Sequence, residues 1–258
     1  MRSTAGRNLL PVLLLACTAL VACRSPTAGN AAPVTSATPS APAPATTTTP
    51  EPAPATSKAR PKPTISKAGL NYFFDIALGS EYGKKRTVVA MWNWKTVSIR
   101  VHGGSAKSRS CLNKVIADFN ALTATTDLRL TTSAADIELH FTPVSKMRSL
   151  NSRYAKGNDG FFSAQWNDYA INRGTVLIRT TGISEGIRCH LIREELTQVM
   201  GLMRDSAKYR DSVFYSRYTP APTRYSALDK EVIRLLYSGA VEPGDSRKTV
   251  TAKVTVKK

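Results

Sequence analysis

The spacing of apolar and polar positions divides the chain into short elements. "TVVAMWNW" (87–94) and "TVSIRVHG" (96–103) concentrate β-branched and aromatic residues between Lys-rich and Gly-rich breaks, and predict strands. In "SCLNKVIADFNALTATT" (110–126) the apolar Leu112, Val115, Ile116, Phe119 and Leu122 recur at helical spacing, with Ser110 as a possible cap. "LRLTT", "DIELHFTP" and "GTVLIRTTG" then predict strands, the last two separated by the polar, aromatic, Gly-containing "NDGFFSAQWND" (158–168). A helix over "RCHLIREELTQVMGLMRDS" (188–206) begins near Ser184 or Ile187. A second amphipathic helix in "YSALDKEVIRLLYSG" (225–239) places Leu228, Val232, Leu235 and Leu236 on one face and stops at Gly239. Helices packed on a twisted, mostly parallel or mixed sheet predict an α+β fold.

The two ends carry other patterns. Arg2 and Arg7 precede an uncharged apolar run from Leu9 to Ala22, about 14 residues, which fits a secretory signal better than the roughly 20 residues of a membrane span. "LVAC" then resembles the lipobox of bacterial lipoproteins. It predicts cleavage after residue 22 and lipidation of Cys23; a competing "LLAC" at Cys17 leaves a shorter apolar core. Residues 23–66 are dominated by Ala, Pro, Thr and Ser and hold too few large apolar groups to offset the entropy of folding, so they read as a disordered tether. The folded domain is expected over 67–245. "SRKTVTAKVTVKK" (246–258) alternates Val with Lys or Thr as an edge strand would, but its charge and position favour a loose basic tail.

With 42% hydrophobic residues the chain has apolar mass for one ordinary core. Formal net charge is +18; residues 67–245 hold 25 Lys and Arg against 17 Asp and Glu, leaving more than half of the excess on the ends. Export argues against nucleic acid as a partner. The basic surface instead suits phospholipid head groups or an acidic cell-wall polymer, beside the plainer reading of a solvated basic surface. Outside the signal and Cys23 the cysteines are Cys111 and Cys189, which either pair in an oxidising compartment or remain two buried thiols.

Chemistry concentrates on the helix at 188–206. Ile192, Leu196, Val199, Met200 and Met203 project to one side, and His190, Glu194, Gln198 and Gly201 to the other, with Glu195 at the margin. Taken alone this is a surface helix with a polar face in water. The segment also resembles the metzincin zinc-protease helix H-E-x-x-H-x-x-G-x-x-H. On that pattern Glu194 and Gln198 stand at the first two ligands, Glu195 at the general base, Gly201 at the glycine and Arg204 at the third ligand. "SVFYSRY" (212–218) resembles the turn beneath the metal, with Phe214 in place of its methionine, and "YSALDKEVIRLLYSG" resembles the closing helix, with Asp229 in place. The set is similar to a family of bacterial lipoproteins of unknown function whose helix reads E-E-x-T-Q, here Glu194, Glu195, Thr197 and Gln198. That resemblance implies a single zincin-like domain and a lipid-anchored envelope protein. Arg24 rather than Asp follows Cys23, the lipoprotein sorting pattern that favours the outer membrane if the cell is Gram-negative.

An amide and an arginine make a poor zinc shell, so no cofactor is expected and the helix is expected to bind a peptide or envelope polymer without catalysis. Arg204 should then donate to Glu194 or Asp205, Gln198 should bond the turn near Tyr215, and Phe214 should fill apolar volume under the helix. The alternative is a zinc metallopeptidase with a substituted ligand set, in which Glu195 is the base and His190 contributes to the metal site. His102 and His140 lie in or beside predicted strands and read as structural or surface histidines.

Overall fold

The computed structural model describes residues 61–79, 86–217 and 221–257. The signal, Cys23 and nearly all of the tether lie outside the described residues.

The core is a five-stranded mixed sheet, so the domain is α+β. Strands β2 (Thr96–His102), β3 (Asp127–Thr131), β4 (Ile137–Thr142), β5 (Gly160–Asn167) and β6 (Ala170–Arg179) stand in the order β3-β2-β4-β6-β5. All neighbours are parallel except β5, which runs antiparallel to β6 at the edge. Val97, Ile99, Ile137, Leu139, Val176 and Ile178 are buried in the main core. Alternation sends Arg100, Glu138 and His140 to the opposite face, since successive strand side chains point to opposite sides. There a smaller cluster of Met147, Tyr154, Phe161 and Leu177 covers the β5–β6 end under α3 (Val144–Leu150).

Helices α2 (Ala106–Asn120) and α4 (Glu185–Val199) are each capped by a serine hydroxyl that accepts from a first-turn N–H. The cap of α2 is Ser105; Ser110 sits inside the helix, one turn past the actual start. A disulfide between Cys111 and Cys189, with Cα atoms 5.8 Å apart, joins the two helices. Closing a loop of this size contributes about 4 to 5 kcal/mol in the chain-entropy account. Helix α5 (Ala227–Leu236) carries a capping box in which Ser226 and Asp229 each accept from the other's backbone N–H.

Several expectations are corrected. "TVVAMWNW" is not a strand of the sheet. Val89, Ala90, Met91 and Trp92 are all buried in succession, and the backbone divides its bonds between Asp245 and Gly244 on one side and Tyr169 and Ile171 on another. "NDGFFSAQWND" is no separator but contains β5. Its hairpin turns on Asp168 and Tyr169 at φ 46° and 64°, a two-residue loop with positive φ at both positions and no glycine to announce it. Helix α1 (Lys67–Ala77), where no element was predicted, buries Leu70, Tyr72, Phe73, Phe74 and Ile76.

The C-terminal residues are not a loose tail. Helix α6 (Arg247–Lys253) buries Val250, and β7 (Thr255–Lys257) pairs in parallel with β1 (Thr64–Ser66), so folded structure begins inside the expected tether and runs beyond residue 245. Two of the tail's basic side chains are held by the domain: Lys253 pairs with Asp245 and Glu242, and Arg247 stacks over the Phe74 ring at 4.2 Å.

Candidate functional site

Helix α4 is not a surface helix. Every residue from His190 to Val199 is buried, and the polar ones are held by specific bonds. Burial without partners would be expensive for these groups. Thr197 donates its hydroxyl to the Arg193 carbonyl and lies 2.7 Å from the Tyr225 hydroxyl. Arg193 donates to the Thr223 carbonyl and to Asp118, and stacks over the Tyr225 ring at 4.5 Å. The polar face therefore meets protein rather than water, because β5 and the loop after Gly201 close over it.

What remains open is a cleft of about 160 Å³. Six of the residues singled out by sequence line it: His190, Glu194, Glu195, Gln198, Asp205 and Tyr215. His190 Nδ1–H donates to the Pro222 carbonyl at 2.8 Å, which turns Nε2 toward Glu194 Oε2, 3.3 Å away. Burial tends to lower the His190 pKa, but the bond and charge of Glu194, with the Pro222 carbonyl, outweigh it and raise the net value. Burial raises Glu194 in turn, against the smaller opposing effect of His190. The pair retains a proton to higher pH than the same groups in water.

One turn on, Gln198 Nε2 donates to Asp205 Oδ1 at 2.6 Å rather than to the turn near Tyr215. Glu195 lies against the start of β5, where any side chain at Gly160 would collide with its carboxylate. Sequence reasoning missed Gly160, Asn158, Ser216 and Arg217, which also line the cleft. The first two come from the segment read as a separator, Gly160 opening β5 and Asn158 just before it, so no local pattern pointed to them.

Three of the predicted residues do not line the cleft. Gly201 ends the helix region at φ 123°, where a Cβ would stand 2.6 Å from the Ala90 carbonyl oxygen; a glycine is required there by backbone approach. Phe214 is fully buried in the main core, and its turn is pinned by Asp229, which accepts from the Ser212 hydroxyl at 2.6 Å and the Val213 N–H at 3.1 Å. Arg204 is exposed, and its side chain lies beside Gly79. The expected bond from Arg204 into the cleft is thus replaced by the Gln198–Asp205 pair.

The zinc that the resembled motif implies does not fit this donor set. Glu194 is engaged by His190, the second position offers an amide turned to Asp205, and the third is an arginine outside the cleft.

A second group of metal-ligand types lies on the far face of the sheet. His102 and His140 are register partners on β2 and β4, with their rings stacked at 4.2 Å. Glu138, two residues before His140, approaches His102 Nε2 at 2.6 Å. These three bring one ligand atom each within 4.8 Å of one another, the one such group found among the described residues. Its donor types suit zinc. However, the guanidinium of Arg100 bonds both Glu138 oxygens, at 3.0 and 2.6 Å, and the parallel rings do not aim at one point. A cation there must displace Arg100 from one oxygen and turn a ring.

The chain belongs to the family described as "Protein of unknown function (DUF2927)", which matches residues 67–256 and so takes in α6 and most of β7 as well as the cleft. No curated protein matches the chain in sequence. Among solved structures it is similar to that of myroilysin, at 12% identity and a TM-score of 0.41, over 58% of this chain and 98% of that one.

Proposed function

We propose that this is a zincin-like binding module of the cell envelope, exported and lipid-anchored through Cys23, which holds an extended peptide beside the cleft without cleaving it. The observation that carries the reading is the pairing of the cleft's own polar groups. His190 with Glu194, and Gln198 with Asp205, make the contacts that a bound metal makes in the resembled helix. The zincin-like reading is supported by Glu194 and Glu195 facing one cleft, by the helix ending at Gly201, and by the turn at 212–215 tied to Asp229 of the closing helix. The peptide reading is supported by β5, an edge strand whose first residue lines the cleft. An extended segment added to that edge gains main-chain hydrogen bonds, and its side chains reach the cleft.

The test is incubation of the full chain with a mixed peptide library, with and without zinc or chelator, followed by mass spectrometry of captured and cleaved species. Capture of intact peptides, unaffected by chelator, is expected. Chelator-sensitive cleavage that disappears in Glu195→Gln would overturn the reading in favour of a metallopeptidase. For the anchor, a Cys23→Ser variant should leave the membrane fraction, and its retention there would remove Cys23 from the account.

A further inference from the structure

We infer that a groove bordered by α2, α4 and α5, sharing no lining residue with the cleft, binds a linear phosphate-bearing polyanion. Two adjoining depressions, of about 520 and 470 Å³, share Lys114 and Arg224 and so form one channel. α2 forms one wall; the N-terminal half of α4, residues 223–225 and α5 form the other. Six cationic side chains line it: Lys107, Lys114, Arg193, Arg224, Lys230 and Arg234.

Its carboxylates are Asp118 and Glu185, and both are already engaged. Asp118 accepts from Lys114 and Arg193, and Glu185 pairs with Arg188. Lys107, Arg224, Lys230 and Arg234 are exposed and have no ion-pair partner among the described residues. Lys107 and Lys114 are seven residues apart on one helix, about 10 Å, while Lys230 and Arg234 are one turn apart on another. The channel thus presents separated charges along a path rather than a single point.

The floor supplies an independent sign of a ligand. Arg193 is fully buried, and its Nη1 is the one buried side-chain polar atom without a hydrogen-bond partner among the described residues. Buried polar groups are normally satisfied, and an unpaired guanidinium edge is a costly exception. Arg193 lines the channel beside Thr223 and Arg224, and an anionic oxygen entering there would satisfy Nη1 once the neighbouring side chains part, the atom itself being closed to solvent. Planar guanidinium donors and lysine ammonium groups together suit phosphate oxygens. The concave shape favours a chain over a membrane, because the flat surface of a bilayer does not reach a buried floor residue.

The experiment is a titration of the full chain with fluorescently labelled long-chain inorganic polyphosphate over a range of salt concentrations. Inorganic phosphate and vesicles containing an anionic phospholipid serve as separate arms. Binding should weaken with salt with a log–log slope of about −3, as expected for roughly four neutralised phosphates on a single strand. The double variant Lys107→Glu/Arg224→Glu should weaken it at least about tenfold and flatten the slope. Lys146→Glu/Lys156→Glu, which changes net charge equally at exposed positions outside the groove, should leave affinity within about twofold of the parent.

Equal loss in both double variants would overturn the proposal in favour of diffuse charge attraction. Vesicle binding without polyphosphate binding would overturn it in favour of a membrane surface. Because the groove and the cleft share no lining residue, peptide capture failing in the cleft does not decide this result, nor this result the other.

Discussion

The cleft and the far face of the sheet are built from the same side chains, a histidine beside a glutamate, yet their proton affinities move in opposite directions. In the cleft both groups are almost fully buried, and the cost of a bare carboxylate dominates, so Glu194 is raised. On the sheet face partial burial also pushes Glu138 upward. There, however, bonds from Arg100 and His102 outweigh it and hold the carboxyl below its ordinary value. His140 moves down through burial and the neighbouring His102 charge, whereas His190 moves up because Glu194 faces it. Burial, and the presence or absence of a guanidinium, decide the outcome; residue identity does not.

The largest effect expected from breaking this contrast is on stability. Glu194→Ala removes one partner of a buried pair and leaves His190 Nε2 facing a cavity, which should lower stability by about 3 kcal/mol. Glu138→Ala breaks a pair that water can replace on both sides and should lower it by much less. Urea denaturation of the two variants in parallel measures the difference. Equal losses would show that the cleft pair is no more sequestered than the exposed one.

A smaller effect separates the regions by pH. Native Glu194 and His190 both hold protons above their ordinary values, so the folded state binds more protons than the unfolded one. Their contribution is present below the ordinary carboxylate value of 4.5 and is lost as pH rises through the folded values. Glu138 has the opposite sign: its contribution is present above 4.5 and is lost as pH falls through its folded value. The urea midpoint of the parent should therefore include a component that begins to fall as pH rises past the ordinary carboxylate value of 4.5, the raised groups giving up their protons later than they would in water. Glu194→Gln, which mimics the protonated acid, should flatten it, while Glu138→Gln should not. A slope unchanged in Glu194→Gln would place the titrating groups elsewhere.

Much of the cleft was legible in sequence because helical periodicity is a strong local signal. It put His190, Glu194 and Gln198 on one stripe, and of the two starts it offered, Ser184 and Ile187, the first is the cap of α4. What the sequence could not report was which element covers that stripe. The covering strand β5 follows a weakly alternating pattern, and its turn uses Asp168 and Tyr169 at positive φ, where a glycine or asparagine would have signalled a hairpin. The C-terminal segment misled for a related reason. Its lysines look solvated until Glu242 and Asp245, close in the fold, are seen to pair with Lys253. Partners 8 and 11 residues away, across a turn and a helix, leave no periodic trace.

A further comparison sets Gln198, inside the cleft, against Arg204, which follows the helix and lies outside it. Gln198 is buried and its amide donates to Asp205, so Gln198→Ala removes a bond from a carboxylate and should lower stability by about 1 to 2 kcal/mol. Recovery in Gln198→Glu on acidification, where a protonated side chain can donate again, would identify the bond rather than packing as the cause.

The smallest effect is expected at Arg204, although the resemblance to a zinc helix makes it the most conspicuous substitution in the sequence. An arginine in the third ligand position invites the idea that its charge replaces the metal's. Its side chain instead leaves the cleft, is exposed to water and lies beside Gly79, while its backbone N–H donates to the Ile76 carbonyl at 3.1 Å. The backbone bond survives truncation to alanine, and a water-exposed guanidinium contributes little on its own. Arg204→Ala should therefore change the urea midpoint by no more than about 0.5 kcal/mol equivalent and leave the pH slope of the cleft pair intact. A loss comparable to that of Gln198→Ala, or a shifted pH slope, would mean that Arg204 reaches the cleft in solution and that its charge acts on Glu194 or Asp205 after all.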